Sequence, residues 1–265
     1  MASSRPKPSF SPNDPIADPR EVEAFLRGLP IAVDRGEFLG LVLGFPRRYL
    51  ERTPAAEVVR HYALVRSLGA RGVVSTLSRQ AGGWRLWVLA RDRSYLFSRI
   101  AGALSCSGLS IAAAEAFTNA NALVLDSFEC VDPKGSLEGP DAPRQFQRFL
   151  ERVICGSEDV EPLLEPRLPG LKLPPGTELR ASWDDDSHPM ATRLSLSAPD
   201  RFGLLYLVTR ALSHASCNIE MAEVATPDGC ALDAFYLTRD AARLRESDRR
   251  AIEQAFADLI APASA

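Results

Sequence analysis

The sequence predicts an α+β fold built in tandem, two copies of a βαββαβ unit behind a short helical segment. Three observations predict it. Residues Asp92 to Thr118 recur at constant spacing as Asp200 to Thr226, with identical pairs led by Asp92, Arg93, Leu96, Ala103, Leu104, Ser105, Ile111, Ala114, Glu115 and Thr118; self-similarity of this extent marks a repeated structural unit. Each copy then runs into a related segment, Leu125-Asp126-Ser127-Phe128 in the first and Leu232-Asp233-Ala234-Phe235 in the second. Within each copy the apolar period switches from alternation to helical spacing and back, as strand, helix and hairpin succeed one another.

The elements follow in order. Residues 1–19 mix prolines with Ser, Asp and Asn and are expected to form a disordered tail. From Asp18 the pattern turns helical, and 20–75 reads as a helical segment. Val22, Phe25 and Leu26 suggest a first helix, and Phe38, Leu39, Leu41 and Val42 a second that ends near Gly44. Val58, Tyr62, Val65 and Leu68 suggest a third, entered through Thr53 as N-cap and Pro54 as first helical residue. The first unit is expected over 83–183. Trp84, Leu86, Val88 and Ala90 alternate as a strand, and Asp92 introduces a helix with Leu96, Phe97, Ile100, Ala103 and Leu104 on one face. Strands at Ile111 to Thr118 and Leu123 to Val131 come next, then a helix opened by Pro143, a Pro-rich insert over 162–176 and a last strand at Glu178 to Trp183.

The second unit, 191–260, repeats this order. Its strands are expected at Thr192 to Ala198, Ile219 to Thr226 and Ala231 to Thr238, with Leu204, Leu205, Val208, Ala211 and Leu212 as the stripe of its first helix. Ile252, Ala255, Phe256 and Leu259 mark its second helix. Only APASA follows Ile260, so the final strand of this copy is expected to be missing or supplied from elsewhere. Such a unit is a ferredoxin-like split βαβ sandwich, with helices on one face of an antiparallel sheet.

Composition narrows the function. At 265 residues the chain suits about two domains; 46% hydrophobic and 25% charged residues are ordinary for a globular protein. A net charge of -3 without a basic cluster argues against a nucleic-acid partner. No apolar run approaches the length of a membrane span, and MASSRPKPSF lacks the apolar core of a secretory signal, so the expected location is the cytoplasm without membrane association. The five cysteines, scattered without C-x-x-C spacing, read as reduced, buried small hydrophobes.

The candidate binding residues sit where the first strand of each copy meets its helix. The first N–H groups of a helix lack intrahelical partners and carry partial positive charge, so they suit a small carboxylate. In the second copy the turn reads Asp200-Arg201-Phe202-Gly203-Leu204. Gly203 has no Cβ to hold a ligand away from the backbone, and Asn218, followed by Ile219, offers an amide donor and acceptor. In the first copy Asp92 and Ser110 are the counterparts of Asp200 and Asn218, while Tyr95 puts a bulky ring in the glycine position. Asp126 and Asp233, alternating along a half-buried strand, are expected to face solvent.

The stretch Asp200-Arg201-Phe202-Gly203-Leu204-Leu205, followed by Cys217-Asn218-Ile219, resembles the ACT family of small ligand-sensing modules. The tandem arrangement, LFSRIAGALSCSGLSI, the LDSF and LDAFYLT strands and YLERTPAAEVVRHYALV upstream resemble the C-terminal region of bifunctional PII uridylyltransferases/uridylyl-removing enzymes, over about residues 36–260. The resemblance implies effector contacts at Asp200, Gly203 and Asn218, and an amino acid as effector.

The catalytic parts of such an enzyme are not expected here. Nucleotidyl transfer needs paired aspartates on a strand after a Gly-Ser turn, and Gly135-Ser136 and Gly156-Ser157 have no such sequel. Asp184-Asp185-Asp186 reads as a solvated turn. The three histidines are followed by Tyr62, Pro189 and Ala215, so no His-Asp pair exists to hold a metal; His61 reads as a surface or interhelix residue. The expectation is a regulatory protein without catalytic residues, metal or cofactor, which binds a small amino-acid effector and associates with a protein partner or a second copy of itself. The rivals are an interaction module without effector, docking through the unpaired sheet edge of the second copy, and a divergent uridylyltransferase.

Overall fold

The computed structural model describes residues 34–262; the tail expected at 1–19 and the helix expected at Val22, Phe25 and Leu26 lie outside them. Helices α1 (Arg35–Gly44), α2 (Arg47–Arg52) and α3 (Ala55–Leu68) lead in. Asp34 caps α1 by accepting from Glu37 N at 2.9 Å. Pro54, not Thr53, stands at the N-cap of α3, while Thr53 closes α2, a short helix that carries too few apolar positions to show as a period.

Strands β1 (Val73–Gln80) and β2 (Gly83–Arg91), helix α4 (Leu96–Cys106), strands β3 (Ser110–Thr118) and β4 (Leu123–Val131), and helix α5 (Ala142–Cys155) come next. Gly156 ends α5 in the left-handed region at φ 79°, where glycine carries no Cβ penalty. After a connecting segment with the short helix α6 (Glu161–Leu164) come β5 (Arg180–Asp184), β6 (Thr192–Pro199), α7 (Leu204–His214), β7 (Asn218–Ala225), β8 (Cys230–Thr238) and α8 (Glu246–Asp258).

The eight strands of the described residues form one antiparallel sheet in the order β1-β2-β4-β3-β7-β8-β6-β5. The α+β class and the ferredoxin-like pattern hold, but the outer strands differ from expectation. The place beside β2 is taken by β1, which precedes it, and the strand expected to end the first copy forms as β5 and pairs with β6. Each copy is therefore flanked by a strand that comes before it in sequence. The edge position expected to be unpaired beside the second copy is filled by β5.

Helices α4, α5, α7 and α8 cover one face of the sheet, burying Ile100, Leu104, Leu150, Ile154, Leu207 and Leu212 against Leu86, Phe128, Leu194 and Phe235. Helices α1 to α3 cover part of the other face, where Phe38, Tyr49, Val58 and Tyr62 meet Leu89, Phe117, Leu125 and Tyr236. Burial of one such side chain is worth about 1.5–3 kcal/mol. His61 is the interhelix residue of the two alternatives, buried in this second layer between α3 and α2. It is 1% exposed, its Nδ1 lies 2.9 Å from the Tyr49 hydroxyl and its ring 4.2 Å from that of Trp87. Burial, with Arg60 and Arg85 adding to it, depresses its pKa to about 3, so the imidazole is neutral.

Candidate functional site

The two copies meet along β3 and β7, and Glu115 lies opposite Glu223, its own counterpart in the repeat. This antiparallel seam gives the pair a local two-fold relation. Each turn before a helix therefore faces the second strand of the other copy. Asp92, Arg93 and Tyr95 share a cleft with Asn218 and Ile219, whereas Asp200, Arg201, Phe202, Gly203 and Leu204 share one with Ser110 and Ile111. Sequence reading grouped Asn218 with Asp200 and Gly203, and Ser110 with Asp92; in the fold the partners are exchanged.

The two clefts are built alike and filled differently. Neither α4 nor α7 has a side-chain cap; the first amide of each donates to the turn, Leu96 N to Arg93 O at 3.3 Å and Leu204 N to Arg201 O at 3.0 Å, and the next amides have no side-chain partner. The residue before each helix is left-handed, Tyr95 at φ 66° and Gly203 at φ 75°. In the first cleft the Tyr95 hydroxyl lies 3.1 Å from His214 Nδ1, with the rings edge-on at 5.3 Å. The remaining space is about 60 Å³. The second cleft holds about 170 Å³.

At Gly203 the reason for the glycine differs from the expected one. A Cβ there would overlap Cδ1 of Leu168, which the connecting segment brings against the turn. The bare backbone thus receives a side chain of this chain. The neighbouring Arg167 guanidinium stacks 3.4 Å over the Phe202 ring, and both residues line the cleft.

Asp126 and Asp233 do not face solvent. They occupy matching positions on β4 and β8, are 1% and 4% exposed, and line the first and second cleft respectively. Both oxygens of Asp126 and Oδ1 of Asp233 are buried without a hydrogen-bond partner. Burial, with Asp92 nearby, raises the Asp126 pKa well above the usual carboxylate range. Burial also brings Asp233 up to about 7; a backbone hydrogen bond at Ala225 opposes the shift and Asp200 adds to it. The sequence signal was available but ambiguous, because β4 and β8 are covered on both faces along most of their length and a polar residue there has no solvent side.

A larger concavity of about 690 Å³ lies on the opposite face, beyond α2 and α3, with Trp87, Ser127, Arg193, Ser195, Ser197 and Leu232 among its lining. At its edge Arg52 Nη1 reaches Glu115 at 2.8 Å and Glu223 at 3.1 Å, and Arg48 also pairs with Glu223. Like charges directly across a strand pair repel, and these arginines offset that repulsion while tying the helical segment to the seam.

The remaining candidates have structural partners. Asp184 accepts from Asp186 N and Ser187 N, and Asp185 accepts from Thr192 Oγ1 and pairs with Arg249. Among the described residues no group of three or more His, Cys, Asp or Glu is placed to hold a metal ion, and no helix is long and apolar enough to cross a membrane. All five cysteines are free; Cys130 and Cys217 are buried as expected, whereas Cys106 and Cys230 are half-buried and Cys155 is exposed.

No protein-family profile matches the chain. Curated relatives do. The chain is 33% identical over 178 residues to the bifunctional uridylyltransferase/uridylyl-removing enzyme of Gluconobacter oxydans, covering 64% of this chain and 18% of that enzyme. It is 32% identical over 159 residues to the Azospirillum brasilense enzyme (57% and 17%) and 24% identical over 232 residues to that of Haemophilus influenzae (84% and 25%). Among solved structures, aspartate kinase from Synechocystis superposes with a TM-score of 0.36 at 13% identity, over 66% of this chain and 26% of the kinase. The chain spans at most a quarter of the length of these uridylyltransferases, and what it resembles is one part of them, in keeping with their C-terminal regulatory region.

Proposed function

We propose that this chain is a non-catalytic regulatory protein of the cytoplasm, made of two ACT-like units, that senses glutamine or another amino acid and changes its association with a protein partner or a second copy of itself. The observation that carries this reading is the second cleft. It has about 170 Å³ of space, the uncapped start of α7 at one wall, and lining residues from both units. A carboxylate at the helix start would draw on the unpaired amides and the helix dipole. Because Ser110 comes from one unit and Asp200 to Leu204 from the other, a ligand there has different contacts in different arrangements of the units. Differential affinity of this kind is what shifts a conformational equilibrium.

Isothermal titration of the purified chain with glutamine, then with the other amino acids, tests the reading. Ser110→Trp serves as the blocked control, since Ser110 is exposed and lines the cleft. Saturable binding lost in S110W is the expected result. Silence with every amino acid would sink the proposal and favour a second reading, an interaction module without effector. The concavity of about 690 Å³ on the opposite face supports that alternative. Transfer of uridylyl from UTP to a PII-type protein would instead favour a divergent enzyme.

A further inference from the structure

The second cleft is bipolar. The start of α7, with Arg201 beside it, and Arg167 from the connecting segment supply positive character, while Asp200 and Asp233 supply two carboxyl groups. The uncharged polar side chains facing Asp233 across the cleft are Ser105 of α4, Ser110 of β3 and Thr226 after β7; Asp200, Arg201 and Arg167 are the charged groups that share it. Asp200 is exposed and water screens it. Asp233 is not. It is 4% exposed, with Oδ1 lacking any partner, and the smaller first cleft buries Asp126 in the matching position with both oxygens unpartnered. A buried polar atom without a partner is costly unless something satisfies it. In the second cleft Asp233 stands in the wall of about 170 Å³ of space, and a ligand group reaches Oδ1, which is closed to water in the empty cleft, by displacing what covers it; the first cleft offers about 60 Å³.

We infer that Asp233 is the residue by which the second cleft selects a protonated amine, and that seating the amine expels the proton that Asp233 carries when the cleft is empty. The inference rests on the effector reading of this cleft and names its ligand class, a zwitterion whose ammonium meets Asp233 while its carboxylate meets the start of α7. The balance is simple: the ammonium keeps its protons, the Asp233 carboxylic acid gives its own to solvent, and an ion pair with a charge-assisted hydrogen bond replaces the neutral acid. Burial that holds Asp233 near a pKa of about 7 is consistent with a group that keeps its proton until a cation arrives.

The test is titration at pH 7 with glutamine and a panel of the other L-amino acids, each paired with its 2-oxo acid, in two buffers of different ionisation enthalpy. The expected result is binding by at least one amino acid and not by its oxo acid, with release of about half a proton per ligand at that pH. Asp233→Asn is expected to fold, since the amide can donate as well as accept. It should lower affinity at least about tenfold and abolish the buffer dependence, while Asp126→Asn should leave both unchanged. Amino-acid binding that is lost in S110W, yet shows no proton release and is indifferent to D233N, would overturn this inference and leave the cleft as an effector site. Absence of binding by every amine in the panel would overturn both.

Discussion

The two clefts are the same construction with opposite contents. Both lie between a turn and the second strand of the other copy, both contain an uncapped helix start and a buried aspartate, and both turns adopt the left-handed conformation. In one, a tyrosine accepts that backbone strain, its hydroxyl meets His214, and about 60 Å³ of space remains. In the other a glycine adopts it freely, and the space beside the backbone goes to Leu168 while an open volume remains. The repeat supplies two equivalent places, which differ at one turn position, Tyr95 against Gly203, and in the space they hold.

The largest effect is expected from removing the glycine side of the comparison. Gly203→Val combines a β-branched residue at positive φ with overlap against Leu168, and should cost about 2–4 kcal/mol in urea unfolding. A loss below half a kcal/mol would mean that Leu168 does not rest on this turn.

The next sharpening uses pH, because the cleft and the helical layer carry buried groups of opposite sign. Asp233 has a folded pKa of about 7, above its ordinary value of 3.8. Its contribution is fully present below pH 3.8 and is lost as pH rises toward 7, so wild type should lose a few kcal/mol relative to D233N across that window. His61 runs the other way. Its folded pKa of about 3 lies below the ordinary 6.5, so stability is intact above pH 6.5 and falls as pH drops from there toward 3. Trp87, 4.2 Å from the His61 ring, provides a fluorescence report on that layer. Parallel pH profiles for wild type, D233N and His61→Phe would check both signs.

The smallest change in stability is expected from Tyr95→Gly. It removes the contact with His214 but also relieves a non-glycine residue at φ 66°, so the net should fall within about 1 kcal/mol. Its value is in binding: opening the first cleft should raise the stoichiometry of amino-acid titration from one site to two. An unchanged stoichiometry would show that Tyr95 alone does not distinguish the clefts.

The sequence by itself determined the repeat, the α+β class, the strands from β2 onward, the helices with a clear apolar stripe, and the two turns as the places to look. These are local properties, because period, cap and glycine conformation are written within a few residues of where they act. One strand, β1, was also written locally, in the run Val73-Val74-Ser75-Thr76-Leu77, but it carries only one buried residue and reads weakly as a core strand. Only the tertiary structure decided which strand closes each copy, since β1 occupies the edge of β2 and β5 pairs with β6. It also decided that Ser110 faces Gly203 and Asn218 faces Tyr95, which follows from the antiparallel seam of β3 with β7 and from no residue in either turn. The burial of Asp126 and Asp233 belongs to the same group. Alternation tells which residues share a face of a strand, but whether that face meets water depends on helices that the rest of the chain lays over it.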